Sequence, residues 1–473
     1  MTELSAATFH RVIGIDLGTT SCAVSAWDGS KLVVIPSASG SSTVPSVVGQ
    51  DQAGQVVVGR LAAADQAKAV TGVKRLLGSG EPIRFRGRTY LPREICAFLL
   101  LELKRQAETY VGDSIHDAVI TVPASAGEAQ RRALREAAGL AGLNVRRLLD
   151  EPVAAAVAFS SDDRPRTYAI YDLGGGTFDA SIVRIGPGTV AMLGTAGDPR
   201  LGGDDFDEHI VEYVLRQIRE RHHVDLGMDV SIRQRIRREA ERRKRELDTV
   251  ESTTLELKLI TATVSASIPL TRRGFEAMIE PDVQRSLDYL SLAIAEAEVD
   301  RGVGRADVDQ VLLAGGSTRI PSIRTRLADY FGFQPADIRA DVDPDELIVR
   351  GAGLVAREYE PSMTVEGSAT GQISANLRLR AEMADPVPEP VGPPPVARLR
   401  PGVLTTPPAE TPADFRAVAD ASHALLRSAP ARQHRALRAA YTAFVAAVLA
   451  ADPDVRLAEL GGVLADEHAK AAG

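Results

Sequence analysis

Two short runs carry the residue types that hold phosphate: Ile13-Gly14-Ile15-Asp16-Leu17-Gly18-Thr19-Thr20 and, far downstream, Ile170-Tyr171-Asp172-Leu173-Gly174-Gly175-Gly176-Thr177-Phe178-Asp179. Each is an apolar stretch ending in Asp, followed by Leu, Gly and a hydroxyl residue. Glycine has no Cβ and accepts positive φ, so the backbone can turn sharply and approach phosphate oxygens closely. Threonine hydroxyls and backbone N–H groups then donate to those oxygens. An Asp at the end of a buried strand is costly unless paired, hydrated or facing a cation, so Asp16, Asp172 and Asp179 are candidates to organise a metal and its waters. A tight strand-to-strand turn explains either run alone. Their repetition in successive halves points to a duplicated nucleotide-binding lobe. Neither run is a Walker loop, since no Gly-Lys-Ser/Thr follows, nor a G-x-G-x-x-G opening a crossover helix.

Strands must deliver both runs. Residues 11–15, 22–27 and 31–35 read as strands, with Asp28-Gly29 as a hairpin signal between the last two. Residues 92–110 read as a helix, because Ile95, Phe98, Leu99 and Leu103 recur at helical spacing. A buried strand over 116–122 and a helix over 126–141 follow. The second half repeats the scheme: a returning strand over 177–184, helices over 204–220 and 232–247, and alternating strands within 253–268. A last strand over 310–314 runs into Gly315-Gly316-Ser317-Thr318-Arg319, and Pro321 sits in the first turn of a helix, where its missing N–H costs little. Strands alternating with helices in this order predict an α/β architecture.

The bulk composition bounds the function. The chain of 473 residues is long enough for several compact units, and its apolar share of 44% and charged share of 25% are ordinary for a globular protein. A net charge of -8 gives no nucleic-acid surface, which needs clustered positive charge. The basic run over 233–245 interleaves Glu239 and Glu241 and reads as a helix laced by i,i+4 pairs. Cys22 and Cys96 are the only cysteines, too few for a disulfide framework. Residues 1–10 lack the character of a signal peptide and no apolar stretch is long enough to span a bilayer, so the expected location is the cytosol. After Tyr359 the pattern changes: residues 360–412 are rich in proline and read as a semi-rigid linker, and 413–473 as a small Ala-rich helical module.

The order of motifs over residues 12–356 resembles the Hsp70 molecular chaperones, within the actin-like (ribonuclease H-like) ATPase fold. Beyond the two loops, the likeness rests on Val73-Lys74-Arg75-Leu76-Leu77-Gly78, Thr121-Val122-Pro123-Ala124, Asp150-Glu151-Pro152, Leu201-Gly202-Gly203-Asp204-Asp205, Glu241-Arg242-Arg243-Lys244-Arg245, Gly315-Gly316-Ser317-Thr318-Arg319 and Asp343-Pro344-Asp345. The resemblance implies a nucleotide-binding domain over 1–359, with lobe I over about 1–170 and lobe II over about 171–359. It also implies slow hydrolysis of ATP to ADP, with magnesium, and potassium beside it, held through waters by Asp16 and Asp179. By similarity Lys74 reaches the terminal phosphate, and Glu151 and Thr177 place the attacking water. Gly18, Thr19, Thr20, Gly174, Gly175 and Gly176 cradle phosphates, and Gly202 and Gly203 close over them. Glu241, Lys244, Arg245 and Asp248 match ribose and adenine contacts, with Gly315, Gly316, Ser317, Arg319 and Asp345 closing over the base. Pro123 and Arg131 match a relay that reports nucleotide state.

This sequence also departs from the family pattern. Ser125-Ala126 stand where an aromatic pair usually follows Pro-Ala, Asp150 where Asn is usual, and Asp248 where a small hydroxyl residue is usual. No Leu-rich acidic linker and no long run of strands follows Tyr359, so the usual β-sandwich that grips peptides is not expected. The partners implied are protein clients or cochaperones, a nucleotide exchange factor or a J-domain protein, with no nucleic acid and no membrane span. Two other readings compete: a nucleotide-gated scaffold with negligible turnover, and a small-molecule kinase, for which no sugar-binding Asp can be placed.

Overall fold

The computed structural model describes residues 9–359 apart from 52–54, 64–68, 86, 160–163, 187–188, 261–263, 336–337 and 340. These residues belong to the first of two compact units, Met1–Asp385. The expected linker over 360–412, the helical module over 413–473 and most of the N-terminal segment lie outside the described residues.

Two sheets form the frame, and each is built around one central strand. In the first, Val12–Leu17 pairs antiparallel with Ser21–Trp27 and parallel with Asp117–Val122. Asn144–Asp150 and Leu32–Val34 lie at the two ends of the strand order, and Val44–Pro45 adds to Ser21–Trp27. In the second, Arg166–Leu173 pairs antiparallel with Phe178–Gly186 and parallel with Gln310–Ala314. Thr189–Asp198 and Ile338–Arg339 complete it. The short strand Ile338–Arg339 corrects the reading of 310–314 as the last strand; at two residues it leaves no alternation to detect. The central strands are covered on both faces, which is why they are continuous apolar runs instead of alternating ones. The duplication inferred from the loops is therefore a duplication of strand pairing as well.

The helices fill three layers. Pro92–Val111 and Glu128–Leu140 cover one face of the first sheet, and their Ile95, Leu99, Leu103, Leu134 and Ala138 share a core with Ile13, Ile15 and Val24. Proline at the first helical position and Gly112 at φ 78° mark the ends of the first of these helices. Arg272–Arg301 packs on the strands Phe178–Gly186 and Thr189–Asp198 of the second sheet.

Between the sheets, Glu151–Phe159 and Leu347–Ala356 pack against each other. Their Ala154, Ala155, Leu347 and Ala352 join Val12 and Val119 of one sheet to Ile170 and Leu312 of the other in a single core. Contact is backbone-close: a Cβ on Gly351 would lie 1.8 Å from the Ala154 carbonyl oxygen, and one on Gly14 would lie 2.2 Å from the Gly353 nitrogen. Leu347–Ala356 thus returns the chain from the second sheet to the first, and Ser25 Oγ donates to Val349 O at 2.8 Å. Among the described residues no helix is long and apolar enough to cross a membrane.

Candidate active site

Both phosphate-type loops are hairpin turns at the ends of the central strands, at equivalent positions. Leu17 faces Cys22 in one hairpin and Leu173 faces Phe178 in the other, so Gly18–Ser21 and Gly174–Thr177 are the turns. Their carbonyls are tied back. Ser46 Oγ donates to Gly18 O at 2.7 Å and Ser46 N donates to Thr20 O at 2.8 Å. Gly203 N donates to Gly174 O at 3.0 Å, Asp204 N to Gly175 O at 2.5 Å, and Ser317 Oγ to Gly174 O at 2.9 Å. A peptide's C=O and N–H point in opposite directions. Tying the carbonyls back therefore turns the N–H groups of Thr19, Gly175 and Gly176 the other way, where the described residues offer them no partner. Such outward N–H groups form an anion nest. Side chains have no room here: a Cβ on Gly175 would fall 2.5 Å from Thr20 Oγ1, and one on Gly202 would fall 2.6 Å from Gly176 N. The first of these distances also shows that the two loops meet.

Below the loops lies a buried charge cluster. Lys74, on the 3-10 turn Val73–Leu76, donates from Nζ to Glu151 Oε1, and both residues are buried. Burial pulls the Lys74 ammonium down, but Glu151, Asp16 and Asp172 outweigh it and hold its pKa above the usual lysine value. Asp16 is pushed up to about 6 by burial and by Glu151, against Lys74 and a 2.7 Å hydrogen bond from Thr121 Oγ1. Asp179 is pushed up to about 7 by burial and Glu151, and Asp172 stands well above the usual carboxylate range for the same reasons, with Asp179 and Asp16 adding to it. A cavity of about 10 Å³ among Glu151, Asp172, Asp179 and Ser181 is at the lower limit for one water.

The carboxylate set suits a hydrated cation. Burial first and the Glu151 charge second raise all three aspartates, and a divalent charge would oppose both. No group of three or more His, Cys, Asp or Glu among the described residues is placed to ligate a metal directly. Magnesium keeps several waters and is commonly held through them, which matches this donor set.

The nucleoside-side candidates are arranged less simply. Lys244 is buried: Nζ donates to Gly203 O at 2.6 Å and pairs with Asp207 at 2.8 Å, so it anchors the closing loop from behind. Arg245 and Glu241 form an exposed i,i+4 pair at 2.7 Å on the helix Val230–Leu247. Asp248 follows that helix, its carboxyl pushed up to about 6 by burial despite Arg319 and Lys244. Arg319 pairs with Asp343 and, at 2.9 Å, with Asp345. This is the surface ion pair that an arginine makes by default, here placed beside Asp248. Gly315 has φ +80°, and its own Cβ would fall 2.4 Å from Leu173 O, so only glycine fits the turn out of the second sheet. A Cβ on Gly316 would approach Asp345 Oδ1 to 3.0 Å.

The relay candidates Pro123 and Arg131 are linked through Ala126. Arg131 donates from Nε to Ala126 O at 3.0 Å and from Nη2 to Asp150 Oδ1 at 2.6 Å, while Ala126 N donates to Pro123 O at 3.0 Å. The departure at Asp150 thus gives Arg131 a charged partner one residue before Glu151. Sequence reasoning passed over Ser46, Thr121 and Arg75. Ser46 carries no motif at all. Thr121 and Arg75 lie inside quoted motifs, where only the fold reveals that Thr121 supports Asp16 and that Arg75 Nη2 donates to Gly176 O at 2.6 Å.

Two lobes, paired hairpin turns with outward N–H groups and a lysine among buried acids are the features of an actin-like ATPase. A family model described as Hsp70 protein matches residues 12–83 and 79–377, most of the chain. With its two-lobed actin-like fold and that match, the chain belongs to the Hsp70 family.

Proposed function

We propose that this chain binds Mg-ATP between its lobes, hydrolyses it slowly, and uses the nucleotide state to regulate binding of a protein partner. The observation that carries the reading is the placement of the buried Lys74–Glu151 pair with Asp16, Asp172 and Asp179, which lie on the strands flanking two turns whose N–H groups lack partners among the described residues. Phosphoryl transfer to water needs positioning and charge neutralisation more than covalent chemistry. The outward N–H groups of Thr19, Gly175 and Gly176 bind and orient phosphate oxygens. Lys74 supplies a fixed positive charge, oriented by Glu151. Glu151 and the Thr177 hydroxyl hold a water in line, and the surrounding carboxylates take up the proton it loses as its oxygen bonds to phosphorus and the bond to the ADP oxygen breaks. Asp16 and Asp179 would hold magnesium through waters, and the metal would supply neutralisation of phosphate charge when bound.

Lys244 and Ser317 hold the closing glycines in register with the second loop, which keeps bulk water out. Arg245, Asp248 and Arg319 line the approach for the base. Single-turnover hydrolysis tests the assignment: Lys74→Ala and Thr177→Ala should each lower the rate by about 100-fold or more. Rates equal to wild type in both variants would reject it. Tight ATP binding with no phosphate release by the wild-type chain would favour the nucleotide-gated scaffold instead.

A further inference from the structure

Each carbonyl of the second glycine turn has its own tie. Those on Gly174 and Gly175 come from Gly203 N, Ser317 Oγ and Asp204 N, all within the same lobe. The third differs in kind. Gly176 O accepts from Arg75 Nη2 at 2.6 Å, and Arg75 is the neighbour of Lys74 on the 3-10 turn that packs with the first sheet's helix Pro92–Val111. This is a charge-assisted hydrogen bond that crosses from the first lobe to the second. The guanidinium is held by shape as well: the space where a Gly176 Cβ would sit is filled by Nη2, 1.9 Å from that point, with Asp204 Oδ2 at 3.1 Å from it. Burial raises the Asp204 carboxyl, and Arg75 opposes that rise in part, after Lys244 and Arg237.

The bond fixes one peptide plane. Gly176 O and the Thr177 N–H belong to the same planar peptide and point oppositely. Holding the oxygen toward Arg75 aims the Thr177 N–H, unpartnered among the described residues, away from the guanidinium, as a third free N–H of the turn beside those of Gly175 and Gly176. We propose that Arg75 is a positioning residue for phosphate: it completes the second anion nest only when the Lys74 turn of the first lobe is closed on the second lobe. The inference rests on the nucleotide reading above. It assigns Arg75 no contact with the reacting atoms, and it makes the phosphate grip conditional on closure.

The test uses the full chain and two ligands, Mg-ATP and adenosine, titrated by calorimetry. Arg75→Ala should weaken Mg-ATP about tenfold, roughly 1.4 kcal/mol, and leave adenosine unchanged, because the nest touches only phosphate. Arg75→Lys keeps a cationic donor able to reach a carbonyl and should recover part of the loss. Mg-ATP affinity unchanged in Arg75→Ala overturns the proposal. Equal losses for Mg-ATP and adenosine overturn it too, since they report general opening of the cleft. No Mg-ATP binding by the wild-type chain would overturn the nucleotide reading, and the latch with it.

Discussion

Replacing Lys74 by methionine gives the sharpest test of the buried cluster, because its effect on folding has a pH signature that can be read without any turnover. The Lys74 and Glu151 side chains are 6% and 10% exposed, so solvent screens the pair little. Removing one partner of such a pair costs about 3–5 kcal/mol, chiefly by leaving the other charge buried and unpaired. Here the loss is shared, because Lys74 is also the cation that opposes Asp16, Asp172 and Asp179. With Lys74 present, Asp16 and Asp179 already stand at about 6 and about 7. Without it, both move higher. A carboxyl whose folded pKa exceeds its unfolded value binds more protons in the folded state, so stability falls as pH rises. The cost is fully present above the folded pKa and disappears toward the unfolded value. Urea unfolding with EDTA and no nucleotide should therefore show the full loss near pH about 8 and less than about half of it near pH about 5. Lys74→Met combined with Glu151→Gln should regain stability without regaining hydrolysis. A variant as stable as wild type at the higher pH, or a loss that does not shrink on acidification, would refute the reasoning.

Gly351→Ala should destabilise by about 2–4 kcal/mol in thermal unfolding, since its Cβ would lie 1.8 Å from the Ala154 carbonyl oxygen and neither helix can retreat without opening the core between the sheets. His209 donates or accepts at 2.6 Å with Asp282, which raises its pKa. A raised histidine stabilises below its unfolded pKa and loses that contribution as pH rises through the folded value, so His209→Gln should lower the melting temperature slightly near pH about 5.5 and not near pH about 8.5. Arg319→Ala removes pairs with Asp343 and Asp345 whose side chains are about a third exposed or more, so stability should change by about 1 kcal/mol or less, while calorimetry should show weaker adenosine binding.

What the sequence made legible follows from where a signal is local. The helix over 92–110 was readable because Ile95, Phe98, Leu99 and Leu103 recur at helical spacing, and the structure extends it only to Val111. The strand over 310–314 appears with the same bounds. Arg272–Arg301 is less legible: Pro281 interrupts it in a position that ordinarily ends a helix, and only packing along two strands carries it through. Glu151–Phe159 is apolar on most faces because it lies between the sheets, so no helical stripe stands out. The site divides similarly. Asp16, Lys74, Glu151 and Thr177 sit in contiguous motifs, whereas Ser46 reaches Gly18 O across 28 residues without a motif of its own.

The two turns share a strand plan but differ in what holds them, and this gives them different roles. Gly18 and Thr20 are tied by Ser46, from the short strand region that packs beside the same hairpin, and Gly18 O also accepts from Cys22 Sγ at 3.9 Å, all within the first lobe, so the first nest is set once that lobe folds. The second nest draws its ties from Gly203, Asp204 and Ser317 of its own lobe and from Arg75 of the other. A bond that spans two lobes is lost first when they separate, because its length depends on their relative placement while local ties do not. Closing the lobes therefore changes the grip of the second turn and leaves the first nearly constant. For the function proposed above, a conformational report on the ligand, differential affinity between open and closed forms is the quantity that matters. On the proposed reading that difference is concentrated at Gly176 and at Thr177, which carries the hydroxyl assigned to the attacking water, so the step that tightens on phosphate would also set up the chemistry that ends the bound state.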